Sequence, residues 1–351
     1  MRVALAGAGN IARPYAARIV TEESLELAGA TDPVDGRAQA LVDEFGGRVY
    51  PTLDELLADE RVDTVVNLTV PHAHAEVTTA ALLAGKHVHS EKPLALRHAD
   101  AQALVDLAAE CGVRLGAAPA TLLGEAQQTL WKLVREGRAG RIRVAYAEAN
   151  WDRLERWHPD PRSLYAVGPL VDVGVYPLTI LTAFFGPARR VQAYAATLEP
   201  ERRLQDGTPF TPEAPDWVTA VVEHEGGIVT RVTASFYVPA SRQRGIELHG
   251  DDGSLWMPTW AEANSRVLHQ PRGGEYEEVP LVREPFAGID WSRALVDLAH
   301  AVREDRPHRM SGEHGAHVVE VLEAAETSLA TGAPVAVHSS FHPPEPLEWA
   351  R

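Results

Sequence analysis

The chain has 351 residues, more than one hydrophobic core usually serves, so two domains are expected. Hydrophobic residues make up 45% and charged residues 23%, an ordinary globular balance, and no apolar run approaches the ~20 residues of a membrane span. The net charge of −16 argues against nucleic acid, which needs clustered Lys and Arg, and against anionic membrane surfaces; a small neutral partner such as a sugar fits better.

Residues 1–119 alternate apolar runs with helical periodicity, which predicts a parallel sheet with helices on both faces. Strands are expected near 2–7, 25–31, 64–69, 86–89 and 113–117, and helices near 10–20, 34–45, 52–58, 73–84 and 98–110. Between the first strand and first helix lies Gly7-Ala8-Gly9-Asn10-Ile11-Ala12, a G-x-G-x-x-A turn. Its first glycine permits the bend, its second lets backbone approach a pyrophosphate, and its small third residue packs helix on strand. Gly7, Gly9, Asn10 and Ile11 are the expected dinucleotide cradle.

Asp32 closes the second strand, where a carboxylate can grip ribose hydroxyls and repel a 2′-phosphate, favouring NAD over NADP. Asp32-Pro33 also reads as a turn or helix cap, and Arg37 could swing toward a phosphate. Thr69 and Pro71 end a later strand at the same carboxyl edge of the sheet, where open α/β sheets bind ligands. His74 reads either as a cofactor neighbour or as a helix-start residue.

A change of character after Pro119 predicts a second domain over 120–351. A helix is expected near 122–137, then hairpins joining 218–223 to 228–238 and 246–249 to 254–257. These imply a large, mostly antiparallel sheet. Along 228–238 the alternation puts Ile228, Thr230, Val232, Ala234, Phe236 and Val238 on a core face and Val229, Arg231, Thr233, Ser235 and Tyr237 on a polar but β-prone face. Helices near 290–304 and 314–330 are expected to cover it, and 199–216 reads as a long charged loop.

Three segments then stand out together: the glycine turn, Ser90-Glu91-Lys92-Pro93-Leu94, and Gly168-Pro169-Leu170-Val171-Asp172-Val173-Gly174-Val175-Tyr176. With Thr69-Val70-Pro71-His72-Ala73-His74 and Ala84-Gly85-Lys86-His87-Val88 between them, the order resembles that of the glucose–fructose oxidoreductase / inositol dehydrogenase (Gfo/Idh/MocA) family along essentially the whole chain. The resemblance implies an α/β fold: an N-terminal Rossmann domain, then a C-terminal α/β domain whose open sheet serves a homo-oligomer, dimer or tetramer. It also implies NAD(P)-dependent oxidation of a sugar or polyol hydroxyl, or the reverse reduction. Lys92 matches the family's catalytic lysine, Asp172 its substrate aspartate, and Tyr176 the position most often occupied by histidine. Tyr176 and, four residues on, Ile180 depart from the commoner His–acid pair, leaving Lys92 and Tyr176 both open as proton acceptor.

The chemistry is consistent with these roles. Loss of a carbinol hydride requires the hydroxyl proton to leave as well. A cationic nicotinamide would pull the Lys92 pKa down, and an adjacent ammonium would lower that of a tyrosine from about 10. Asp172 and Tyr176 share a face if a helix has begun there. Glu91 reads either as part of the cofactor pocket or as an ion-pair neighbour of Lys92, and Pro93 implies a fixed, cis-compatible backbone. Trp151, Trp157, His158 and Tyr165 precede the Asp172 segment and could stack on a sugar ring.

His72 with His74, and His87 with His89, have a spacing that could bind metal, but nothing completes a site and no metal is expected. Met1-Arg2 leads directly into strand-like sequence, so no signal peptide is expected. Cys111 is the only cysteine, which suits a reducing cytoplasm. Two other readings remain: a glycoside hydrolase of the same fold that oxidises its substrate transiently, and a non-catalytic sugar or nucleotide sensor.

Overall fold

The computed structural model describes all 351 residues. The chain forms two compact units, Met1–Ala120 with Asp290–Val319, and Thr121–Ile289 with Glu320–Arg351. Residues 290–319 thus return to the first unit, which a single boundary after 119 does not anticipate.

The first unit is built on strands β1 (Arg2–Ala6), β2 (Glu26–Thr31), β3 (Arg48–Val49), β4 (Thr64–Asn67), β5 (His87–Ser90) and β6 (Leu115–Ala117). They form one parallel sheet in the order β3-β2-β1-β4-β5-β6, so the order reverses between β1 and β4, where such sheets bind ligands. Helices α1 (Ala12–Ile19), α2 (Arg37–Phe45), α3 (Leu53–Leu57), α4 (His74–Leu83) and α5 (His98–Cys111) connect them. Residue alternation in β1 sorts the two cores. Val3 and Leu5 join the side chains of α1 and α2, while Ala4 and Ala6 face α3, α4 and α5. The edge strand β3 has two residues, too few to show a period of 2 in the sequence.

The second unit holds α6 (Glu125–Arg135), α7 (Arg162–Pro169), α8 (Val175–Phe185) and strands β7 (Ile142–Asn150) to β17 (Val335–Ala336). Its main sheet has nine strands, all antiparallel except where β7 pairs with β12 (Val229–Ser235). Thr230, Val232, Ala234 and Phe236 are fully buried, but Ile228 and Val238 at the ends of that face are only partly buried, and Thr233 and Ser235 of the opposite face are buried as well.

Two expectations are corrected here. The core face is packed by α6, α7 and α8, whereas α9 (Arg293–Glu304) places Leu295 and Ala299 in the α1 core of the first unit. An amphipathic stripe shows that a helix is covered on one side but carries no information on which sheet covers it. The stretch 199–216 is also no simple loop. It contains a two-stranded ribbon, Arg202–Arg203 with Pro209–Phe210, and Arg202 and Asp216 are fully buried as an ion pair 2.7 Å apart.

The helical run Arg162–Phe185 is long and apolar enough to cross a membrane by length and composition, but 72% of its apolar window is buried. That pattern is also met by the core helix of a soluble domain. Gly168, at φ +78° and ψ 166°, breaks the run into two helical pieces.

Candidate functional site

The glycine turn leaves β1 at the sheet's reversal point. Gly7 has φ +102°, and a Cβ there would stand 2.6 Å from the Leu68 carbonyl oxygen, so the strand-to-strand approach requires glycine. Gly9 is different: a Cβ there would meet no protein atom within 4 Å. Its missing side chain therefore keeps open a cradle above the backbone. Helix α1 begins three residues later, its first turn carries no acidic residue, and Ile11 at its N-cap supplies no side-chain bond. The orphan N–H groups and dipole of that helix end suit a phosphate. The cradle fits a pyrophosphate, with Gly7, Gly9, Asn10 and Ile11 as its rim.

Asp32 lies beside this turn. Its Oδ2 accepts the Ala8 N–H at 2.7 Å and its Oδ1 the Val34 N–H at 2.8 Å. The carboxylate braces the glycine turn and also acts as the Asx-type turn that Asp32-Pro33 suggests. Each oxygen has a second lone pair that can take a ribose hydroxyl. Arg37 is exposed and its Nη1 is 3.9 Å from Asp32 Oδ1.

Asn67 organises the end of β4. Its Nδ2 donates to the His74 carbonyl and Thr78 Oγ1, each at 3.0 Å, while its Oδ1 accepts from Thr69 N and Oγ1 at 3.2 and 2.6 Å. The bend carrying Thr69 and Pro71 is thus fixed from below, and both residues are partly exposed at the carboxyl edge. His74 is corrected. Only 1% exposed, it places Nδ1 2.7 Å from the Pro93 carbonyl and Nε2 3.1 Å from the Thr69 carbonyl, and burial lowers its pKa. The neutral ring carries one N–H and donates to only one of these carbonyls; its burial between the β4 bend and the loop after β5 keeps it away from the open edge.

Lys92 follows β5 at the same carboxyl edge, half-buried, in a cis peptide bond with Pro93. Leu94 and Ala95 anchor the loop in the core. Glu91 is buried; its Oε1 accepts the Tyr15 hydroxyl at 2.8 Å and its Oε2 the Lys92 N–H at 3.1 Å. Its carboxylate is used to hold the loop, a correction to its expected place in the cofactor pocket. No motif marks Tyr15 or the bracing role of Asn67, and His89 is marked only as a metal candidate with His87. A polar residue on the buried face of an apolar strand or helix, as Tyr15 is on α1, is the one available signal, because such a group needs a partner.

In the second unit, residues Leu170–Gly174 form a π-helical turn that leads into α8. Such turns recur at functional sites. Asp172 and Tyr176 are both buried, and Tyr176 lies in the first turn of α8. The Tyr176 ring stacks on Trp260 at 4.8 Å and 26°, and the Trp260 indole N–H donates to the Glu148 carbonyl at 3.1 Å. Trp260 is a further residue that no motif marks, since it lies far along the chain.

The aromatic candidates divide. Trp151 and Trp157 are 40% and 55% exposed, edge to face at 5.7 Å, with His158 5.6 Å beyond; this cluster presents ring surface that a sugar can use. Tyr165 is corrected. It is buried, its hydroxyl donates to Glu155 Oε2 at 2.7 Å and accepts from Arg202 at 2.7 Å, and burial pushes its pKa well above the ordinary tyrosine range. It belongs to the Arg202 cluster that ties residues 155 and 165 to 199–216.

A parallel sheet with a glycine cradle and a lysine loop on one edge defines an NAD(P)-binding oxidoreductase. Residues 1–118 match the profile of the oxidoreductase family with NAD-binding Rossmann fold, and residues 127–256 match the C-terminal domain of the same family. The chain belongs to the Gfo/Idh/MocA family. It is 29% identical over 260 residues to 1,5-anhydro-D-fructose reductase of Ensifer adhaerens, covering 72% of this chain and 74% of that one. It is 27% identical over 319 residues to D-xylose 1-dehydrogenase (NADP(+)) 2 of Haloferax volcanii, covering 88% and 91%. A solved NAD-binding oxidoreductase from Klebsiella pneumoniae shares the fold, with a TM-score of 0.84 at 21% identity over 97% of this chain and 100% of that one.

Proposed function

We propose that the chain is an NAD(H)-preferring dehydrogenase or reductase of a small neutral sugar or polyol. The observation that carries this reading is the placement of Lys92 at the carboxyl edge of the sheet that holds the Gly9 cradle. A bound nicotinamide supplies the acceptor for the carbinol hydride. Gly7, Gly9, Asn10 and Ile11 hold its pyrophosphate, Asp32 takes ribose hydroxyls, and Thr69 and Pro71 support the nicotinamide half. Lys92, together with Tyr176, takes the hydroxyl proton, and Asp172 orients the substrate by accepting its other hydroxyls. Trp151, Trp157 and His158 supply stacking surface.

The NAD preference rests on Asp32, since a carboxylate beside the ribose repels a 2′-phosphate. The negative net charge of the chain accords with a neutral substrate, and its single cysteine, Cys111, with work in a reducing cytoplasm. Tyr194 and Val221 are exposed on the open face of the large sheet, which supports pairing of that face with a second copy; light scattering on the eluted protein measures it.

The test is to incubate purified protein with NAD⁺ and a panel of sugars, inositols and anhydrosugars while following absorbance of reduced nicotinamide. Lys92→Ala is expected to abolish turnover and leave NAD binding intact. Undiminished turnover by that variant overturns the assignment. Release of an aglycone without net reduced cofactor would point instead to the hydrolase reading.

A further inference from the structure

A buried chain of hydrogen bonds joins the helix after the glycine turn to the lysine loop. Tyr15 lies on α1 three residues beyond Ala12 and is fully buried. Its hydroxyl is 2.8 Å from Glu91 Oε1 and 3.3 Å from His89 Nε2. Glu91 Oε2 accepts the Lys92 N–H at 3.1 Å, and the Glu91 N–H donates to the Asn67 carbonyl at 2.9 Å.

The direction of donation follows from what each group can do. Complete burial holds the His89 pKa down to about 3, so the ring is neutral and carries one N–H. Its Nδ1 has no hydrogen-bond partner, and a Cβ on Gly116 would stand only 3.1 Å from it. A buried orphan N–H is rarer than a buried orphan acceptor, so the hydrogen resides on Nε2 and points at the Tyr15 oxygen. The phenol hydrogen is then directed to the Glu91 carboxylate, whose other oxygen holds the Lys92 backbone. Reversing any member would leave a buried donor unsatisfied.

We propose that Tyr15 is a positioning residue for Lys92, acting through the Glu91 carboxylate to tie the cofactor-side helix to the reactive loop. The inference rests on the proton-transfer role assigned to Lys92 above. Tyr15 touches neither reacting atom. It fixes the backbone from which the lysine projects, and a shift of about 1 Å at such a group can cost on the order of 10²-fold in rate.

The test is Tyr15→Phe, which keeps the ring and removes only the hydroxyl. The expected result is a kcat lower by about tenfold to a hundredfold with both KM values within about twofold of wild type. A second measurement needs no turnover: acylation of lysine amines in the cofactor-free protein, quantified by peptide mass spectrometry. The chain has three lysines, Lys86, Lys92 and Lys132. Lys132 Nζ is held by the Arg351 carbonyl and serves as the internal reference. The Lys92 labelling ratio is expected to change at least about twofold in Tyr15→Phe.

Tyr50→Phe is the control, since it removes another tyrosine–carboxylate bond of the same unit, to Asp59 at 2.9 Å. It is expected to move neither readout. If Tyr15→Phe fails to fold, Glu91→Gln replaces it, because an amide cannot accept from both Tyr15 and the Lys92 N–H. Wild-type kcat together with a wild-type Lys92 labelling ratio overturns the inference, as does an effect confined to KM. If Lys92→Ala itself turns over normally, the functional assignment fails, and the labelling ratio alone still decides whether Tyr15 holds the lysine.

Discussion

Gly9→Ala separates cofactor binding from folding more cleanly than any other single change. The backbone at Gly9 is not left-handed, and a Cβ there meets no protein atom within 4 Å. The folded protein should accept the methyl with a stability change below about 1 kcal/mol, since the chain loses entropy mainly in the unfolded state. The methyl would, however, occupy the cradle and hold a pyrophosphate away from the backbone. Losing two charged hydrogen bonds at about 1.5 kcal/mol each amounts to roughly 3 kcal/mol, or about a hundredfold in Kd. Gly7→Ala is the contrast, combining φ +102° with a 2.6 Å approach to the Leu68 carbonyl. Strain and overpacking together should cost about 3 kcal/mol or more. Thermal melts of the cofactor-free variants give the stabilities, and calorimetric titration with NAD⁺ or NADH gives the affinities. Wild-type affinity in Gly9→Ala would refute the placement of the pyrophosphate over this turn.

Asp32→Asn removes the charge that excludes a 2′-phosphate, and the ratio of kcat/KM for NAD⁺ over NADP⁺ should fall by about tenfold; an unchanged ratio would remove Asp32 from cofactor choice. Asp216→Ala leaves the buried Arg202 guanidinium without its closest carboxylate, so urea melts should show a loss of about 3–5 kcal/mol. A loss below about 1 kcal/mol would show that Glu155 alone suffices. Burial holds His89 and His314 near pKa 3 and lowers His74, His87, His224 and His308. Because these histidines titrate near ~6.5 when unfolded, the unfolded chain binds more protons below that pH. Their contribution to stability is full above about pH 6.5 and is lost as the pH falls. His89 and His314 alone set an upper slope of about 2.7 kcal/mol per pH unit. Thermal melts between roughly pH 7.5 and 4.5 test this, and a flat melting temperature would contradict it.

Local patterns foretold those parts of the site whose geometry is set within a few residues. The glycine turn, the strand ends at Asp32 and Thr69, and the Asp172–Tyr176 segment all depend on spacing along one strand, turn or helix. The partners of those residues were not legible. Tyr15 meets Glu91 across 76 positions, and Trp260 meets Tyr176 across 84. Ligand contact is one reading of His74 and of Tyr165 in the sequence, because a histidine or tyrosine there shows its chemistry but not its burial. Both prove to be buried among protein groups, His74 between the Pro93 and Thr69 carbonyls and Tyr165 against Glu155 and Arg202.

Periodicity and turn chemistry in the sequence alone determined the two sheet types, the cofactor turn and the residue classes available for proton transfer. These are local consequences of backbone geometry and side-chain chemistry. Only the tertiary structure decided that α9 packs in the first core, that the strand order reverses between β1 and β4, and that Glu91 serves the loop. Each of these is a choice among apolar faces or buried donors that look alike in sequence, and close packing with full hydrogen-bond satisfaction selects one.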